Sequence, residues 1–136
     1  MDSSDDLSIP NTSTLARGVR VPDWIAVEDG RERLNTATFL GGANMEASCF
    51  VLEEVGGIKG FCEFILPKLE AELRMKLRFA TIPASAVRSL ELWLSRRPRE
   101  FENNPAHVVV CAPSGLSKNQ YTKRVRKLAA MATLYP

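Results

Sequence analysis

PAHVVVCAPSGLSKNQYTKRVRKLAAMATLYP, residues 105–136, joins an apolar run to a basic one through a turn. The run His107-Val108-Val109-Val110-Cys111 is too short and too β-branched for a helix and reads as a buried strand. Ala112-Pro113-Ser114-Gly115 turns the chain. Ser117, followed three residues later by Gln120, makes a capping box: the hydroxyl accepts a first-turn N–H while the Gln side chain reaches back. A helix therefore starts there. At about 100° per residue, Tyr121, Val125, Leu128 and Ala129 fall into one apolar stripe, and Lys123, Arg124, Arg126 and Lys127 cover the opposite side.

No acidic residue lies between Ser117 and Pro136, so no Glu–Lys pair four residues apart offsets these cations. Surface helices ordinarily interleave both signs. An uninterrupted positive face either stays solvated, as most charge runs do, or meets an anion: nucleic-acid phosphates, anionic lipid heads or an acidic protein segment. Lys123-Arg124-Val125-Arg126-Lys127 also matches a nuclear-import patch, although a basic run folded into a helix makes a poor import signal. Arg96, Arg97 and Arg99 beside Phe101 form a second basic cluster, readable as phosphate contact with stacking or as cations at a helix C-terminus.

The 136 residues fit one domain with a single core and need no staples. The net charge of +2 conceals a division: residues 1–60 hold 10 acids against 5 bases, and residues 61–136 hold 6 acids against 13 bases. Such segregation suits a protein with one basic face, or one whose acidic front covers the basic end of a neighbouring copy in a homo-oligomer. The start, Met1-Asp2-Ser3-Ser4-Asp5-Asp6, has no signal-peptide core, and no window suggests a membrane span, so an intracellular, cytoplasmic protein is expected. Cys49, Cys62 and Cys111 are widely spaced and read as free core thiols.

Residues 1–16, rich in Ser, Asp, Asn and Thr, read as a flexible acidic arm, with one globular domain over 17–136. Val19 to Val27 suggests an edge strand bent at Pro22 and paired with the His107 strand. A short helix is predicted over Arg31–Leu40, closed by Gly41-Gly42, and a better one from the Asn44 cap to Val55. Ile58, Phe61, Cys62, Ile65, Leu69, Leu73, Leu77 and Ala80 are helically spaced, with a kink at Pro67 and supporting pairs Glu70–Arg74 and Glu72–Lys76. Val87, Leu90, Trp93 and Leu94 predict another helix, ended at Arg96-Arg97-Pro98. The expected architecture is mainly α: a small helical bundle carrying a two-stranded β element and an N-terminal arm.

Motifs for chemistry are absent. His107 is the sole histidine, and on a strand it lies about 13 Å from Cys111, too far for a nucleophile–base pair. The cysteines and His107 lack the paired spacing of a zinc site. Cys111-Ala112-Pro113-Ser114-Gly115 lacks the first glycine of a nucleophile elbow, and the turn before Lys118 lacks the phosphate-loop pattern, leaving only a generic anion site. No cofactor or catalytic residue is indicated. The expectation is a non-enzymatic binding protein contacting nucleic acid or another polyanion through Arg96, Arg97, Arg99, Lys118, Lys123, Arg124, Arg126 and Lys127. The alternatives are a self-assembling coat or scaffold subunit, viral nucleoproteins being one type, and an adaptor for an acidic partner.

Overall fold

Strand β7 (His107–Cys111) is buried at every position, because both faces of the sheet that holds it are covered. The computed structural model describes residues 4–41 and 44–136. Its six-stranded sheet is antiparallel throughout, in the order β6 (Trp93–Arg96), β7, β4 (Glu46–Val51), β1 (Thr14–Arg20), β5 (Leu77–Pro83) and β8 (Thr133–Tyr135). A hairpin of β2 (Ile25–Glu28) and β3 (Arg31–Leu34) stands apart from it. The helices are α1 (Ala37–Leu40), α2 (Gly57–Gly60), α3 (Leu66–Leu73), α4 (Ala84–Ser89) and α5 (Lys118–Met131).

This architecture replaces the expected helical bundle with a mixed α/β fold built on a sheet. The error has one physical origin. A strand covered on one face alternates polar and apolar residues, whereas a strand covered on both loses that period. In β4, Ala47, Cys49 and Val51 enter one core cluster and Phe50 enters the other, so Met45, Cys49 and Leu52 imitate helical spacing by coincidence. In β5, Ala80 and Ile82 pack on one side and Phe79 on the other. Trp93 and Leu94, expected on a helix, belong to β6 and pair with Cys111 and Val110.

The chain from Gly57 is helical only as far as Leu73. A π turn at Phe61–Ile65 joins α2 to α3, just ahead of Pro67, whose ring would clash with the carbonyl four residues back in a regular α-helix. Arg74 then enters the left-handed region at φ 54°, and the Glu70 carboxylate accepts the Leu77 N–H at 2.9 Å. The expected Glu70–Arg74 and Glu72–Lys76 ion pairs do not form among the described residues. Arg31–Leu34 is a strand, and the helix predicted there shrinks to α1; Gly42, half of its predicted stop, lies outside the described residues.

β1 is a central strand rather than an edge. It pairs with β5 over seven positions and with β4 over two, Leu15 with Val51 and Ala16 with Phe50. The partners of β7 are β4 and β6, not the Val19–Val27 segment. Nor do residues 4–16 hang free. Ile9 is fully buried, the Asp6 N–H donates to the Leu94 carbonyl at 2.7 Å, and Arg88 donates to the Asp5 carboxylate, the Ile9 and Asp6 carbonyls and Asn11. The polar composition that suggested a flexible arm supplies the acceptors that fasten it to α4 and β6. Met1 to Ser3 lie outside the described residues.

The connection from β7 to β8 places α5. Counting along the sheet, the two strands are four neighbour spacings apart, about 19 Å at ~4.8 Å each. A helix of 14 residues spans about 21 Å. α5 is thus the length needed to cross one sheet face, where Tyr121, Val125 and Leu128 pack with Leu15, Val19, Cys49, Ile82 and Val110. The opposite face holds a separate aromatic core of Phe50, Phe61, Phe79 and Phe101.

Candidate functional site

α5 begins as its sequence dictates. The Gln120 N–H donates to Ser117 Oγ at 3.2 Å and the Ser117 N–H donates to Gln120 Oε1 at 3.0 Å, completing the capping box. Tyr121, Val125 and Leu128 are fully buried and Ala129 nearly so. The Tyr121 hydroxyl donates to the Phe39 carbonyl at 3.0 Å, tying the helix to α1. Burial pushes that hydroxyl well above the ordinary tyrosine range, so it stays protonated and keeps donating. The helix is fixed on its apolar side and cannot roll.

Its outer side carries the charge. Lys118, Lys123, Arg126 and Lys127 are exposed, and none has a carboxylate within ion-pair distance among the described residues. Arg124 differs: its guanidinium donates to the Glu91 carbonyl at 3.0 Å and sits 3.8 Å from the Glu91 carboxylate. Four of the five cations on α5 therefore remain uncompensated. Lys123 and Lys127, one helical turn apart, and Arg126 beside them form a continuous patch on a rigid support.

The second basic cluster is neutralised. Arg96 pairs with Glu54 at 2.8 Å and Asp6 at 3.5 Å, and also donates to the Pro105 carbonyl. Arg97 pairs with Glu46 at 2.7 Å and Glu100 at 3.3 Å. The hydrogen bonds they donate to Glu54 and Glu46 hold these guanidiniums above their ordinary pKa values. Both arginines brace the β6–β7 edge. Arg99 is exposed in the 3₁₀ turn Pro98–Glu100, and Phe101, its presumed stacking partner, is buried edge-on against Phe50. The structure thus groups Lys123, Arg126 and Lys127, sets Lys118 at the start of the same helix, leaves Arg99 exposed apart from them, and draws Arg96, Arg97 and Arg124 into pairs.

A third basic group escaped the sequence reading. Where the β1–β4 ladder stops after Ala16, the Arg17 side chain fills the gap, donating from Nε to the Thr38 carbonyl at 2.5 Å and from Nη1 to the Ser48 carbonyl at 2.7 Å. Its guanidinium lies 4.9 Å from the Trp24 ring centre, and that of Arg20 lies 5.3 Å from the same ring. Neither arginine has a carboxylate partner among the described residues. Nothing local in Leu15 to Val21 signals this, because the carbonyls come from residues 21 and 31 positions away.

Cys49 is buried, which pushes its thiol up to about 11. His107 donates from Nδ1 to the Arg97 carbonyl at 2.6 Å. Among the described residues no group of three or more His, Cys, Asp or Glu could hold a metal ion, and no helix is long and apolar enough to cross a membrane. Comparison with protein-family models, with curated proteins and with solved structures gives no match.

Proposed function

We propose that this is a nucleic-acid-contacting protein in which the outer face of α5 meets the phosphate backbone with little sequence discrimination. The observation that carries the reading is the patch of Lys123, Arg126 and Lys127, with Lys118 at the start of the same helix, exposed without carboxylate partners among the described residues on a helix locked to the core; Arg33, Lys59, Lys68, Arg78, Arg88, Arg96, Arg97 and Arg124 each have one, and Arg17, Arg20, Arg31, Arg74, Lys76 and Arg99, which do not, are spread over other elements. Phosphate contact needs only Lys and Arg held on one side of a rigid element.

Two competing anions fit less well. A helix lying in a lipid interface inserts its apolar face, and that face of α5 is sealed in the core. Head-to-tail assembly on acidic front ends loses its partner too, since the Asp5 and Asp6 carboxylates are already engaged by Arg88 and Arg96 of the same chain.

Fluorescence anisotropy with labelled single- and double-stranded oligonucleotides tests the reading. In the triple variant Lys123→Gln, Arg126→Gln, Lys127→Gln, affinity for both should fall by about ten-fold or more, with the circular dichroism spectrum unchanged. Equal affinity in parent and variant would abolish the proposal.

A further inference from the structure

On the sheet face opposite α5, a cleft of about 280 Å³ opens between β1, β4 and α3. Arg17, Arg20 and Trp24 line it together with Phe50, Phe101 and Leu69. Its polar end is unusual in its charge. Two guanidiniums converge on one indole, and among the described residues no carboxylate pairs with either. Arg17 is half-buried, and its donors Nε and Nη1 are spent on carbonyls, which carry no neutralising charge. Nη2 makes no hydrogen bond among the described residues and is open to solvent, since no buried side-chain nitrogen there lacks a partner. Burying an arginine without a counter-charge is costly; burial and the nearby Arg20 charge both weaken its hold on its proton. Elsewhere the fold supplies acids for its half-buried arginines, as at Arg88, Arg96 and Arg97. Here it leaves the place open.

We propose that this cleft binds a small molecule bearing one oxyanion, a carboxylate or phosphate, on an aromatic body. The oxyanion meets Arg17 Nη2 and the Arg20 guanidinium, a charge-assisted fork arrangement. The body lies against Phe50, Phe101 and Leu69, whose aromatic and aliphatic surface suits a planar apolar group. Volume sets the size of the ligand, since the cleft is at the lower end of small-molecule sites. Charge sets its number of anionic groups: Glu72 and Glu100 also line the cleft and repel a second one. A nucleic-acid strand is excluded on both counts. Gly18 keeps the floor open, because a Cβ there would come within 3.1 Å of Leu77 Cδ1. The site is independent of the α5 patch.

The test uses the full chain titrated with phenylacetate and with phenyl phosphate, by calorimetry and by NMR of the Trp indole N–H signals. One-to-one saturable binding is expected for at least one probe, and which probe binds identifies the anionic group. The Trp24 indole signal should move and that of Trp93 should not. The Arg20 side chain is exposed and makes no hydrogen bond among the described residues, so Arg20→Gln keeps the fold, and it should weaken the probe about ten-fold. The α5 triple variant should bind the probe like the parent. The proposal is overturned if neither probe saturates, if Arg20→Gln binds equally well, or if acetate and inorganic phosphate bind as tightly as their phenyl counterparts.

Discussion

Two stretches of this chain look alike in sequence and behave oppositely in space. Arg96-Arg97 and Lys123 to Lys127 are both short basic runs next to apolar residues. At the β6–β7 edge Arg96 and Arg97 are turned onto acceptors of their own chain, chiefly the carboxylates of Glu46, Glu54 and Asp6. On α5, Lys118, Lys123, Arg126 and Lys127 meet no acid at all among the described residues. The difference is topological. The arginines sit where the N-terminal segment runs beside β6 and β4 lies one strand away across β7, and both carry acids. α5 packs its apolar side on the sheet, so its far side, Arg124 with its Glu91 contact apart, is turned to solvent. Positive charge at the edge is part of the fold's adhesive, and positive charge on α5 is available for a partner.

Substitutions separate the two roles. The largest stability effect belongs to the edge: Arg97→Ala strands the half-buried Glu46 and should cost about 2–3 kcal/mol, read as a lower urea midpoint, with little change in oligonucleotide affinity. The triple variant on α5 should do the reverse and leave the midpoint within about 0.5 kcal/mol of the parent. If Arg97→Ala were as stable as the parent, the contrast between bracing and available charge would collapse.

Smaller effects concern the platform on which the α5 cations stand. Tyr121→Phe leaves the Phe39 carbonyl unpaired in the core and should cost about 1–2 kcal/mol. Ser117→Ala removes the capping box at about 1 kcal/mol and should loosen the first turn, seen as faster amide exchange at Gln120 and Tyr121. The smallest effect is set by acid. Hydrogen bonds from Ser8, with help from Arg96, hold the Asp6 carboxyl below its ordinary value. A carboxyl depressed in the folded state contributes stability that is complete above its unfolded pKa of about 3.9. That contribution is lost as pH falls through the lower folded value. Asp6→Asn should therefore reduce stability at neutral pH and flatten the acid limb.

The part of the fold that the sequence displays is the part held by local rules. β7, the turn after it, the capping box and the buried stripe of α5 are each set by residues within a few positions of one another. β4, β5 and β6 are hidden because strands covered on both faces lose the alternation that marks a strand, and Ala47, Cys49, Leu52 and their neighbours then fall into helical spacing by chance. The same limit applies to charge. That Arg96 is taken by Glu54 and Arg97 by Glu46, 42 and 51 residues away, follows from strand order and from nothing nearby. Absence of acids around α5 was visible because a helix carries its own neighbours with it. Arg17 was invisible as a site, since only the early end of the β1–β4 ladder turns a strand arginine into the wall of a cleft.

The central claim concerns the number of cations that α5 offers to phosphate, and salt dependence counts them. Binding of the full chain to a double-stranded oligonucleotide should give a straight line of log affinity against log salt concentration with a slope of about −3 to −4, as four released counterions require. The triple variant should bring it to about −1. A parent slope near zero, or one that the variant leaves untouched, would contradict the account.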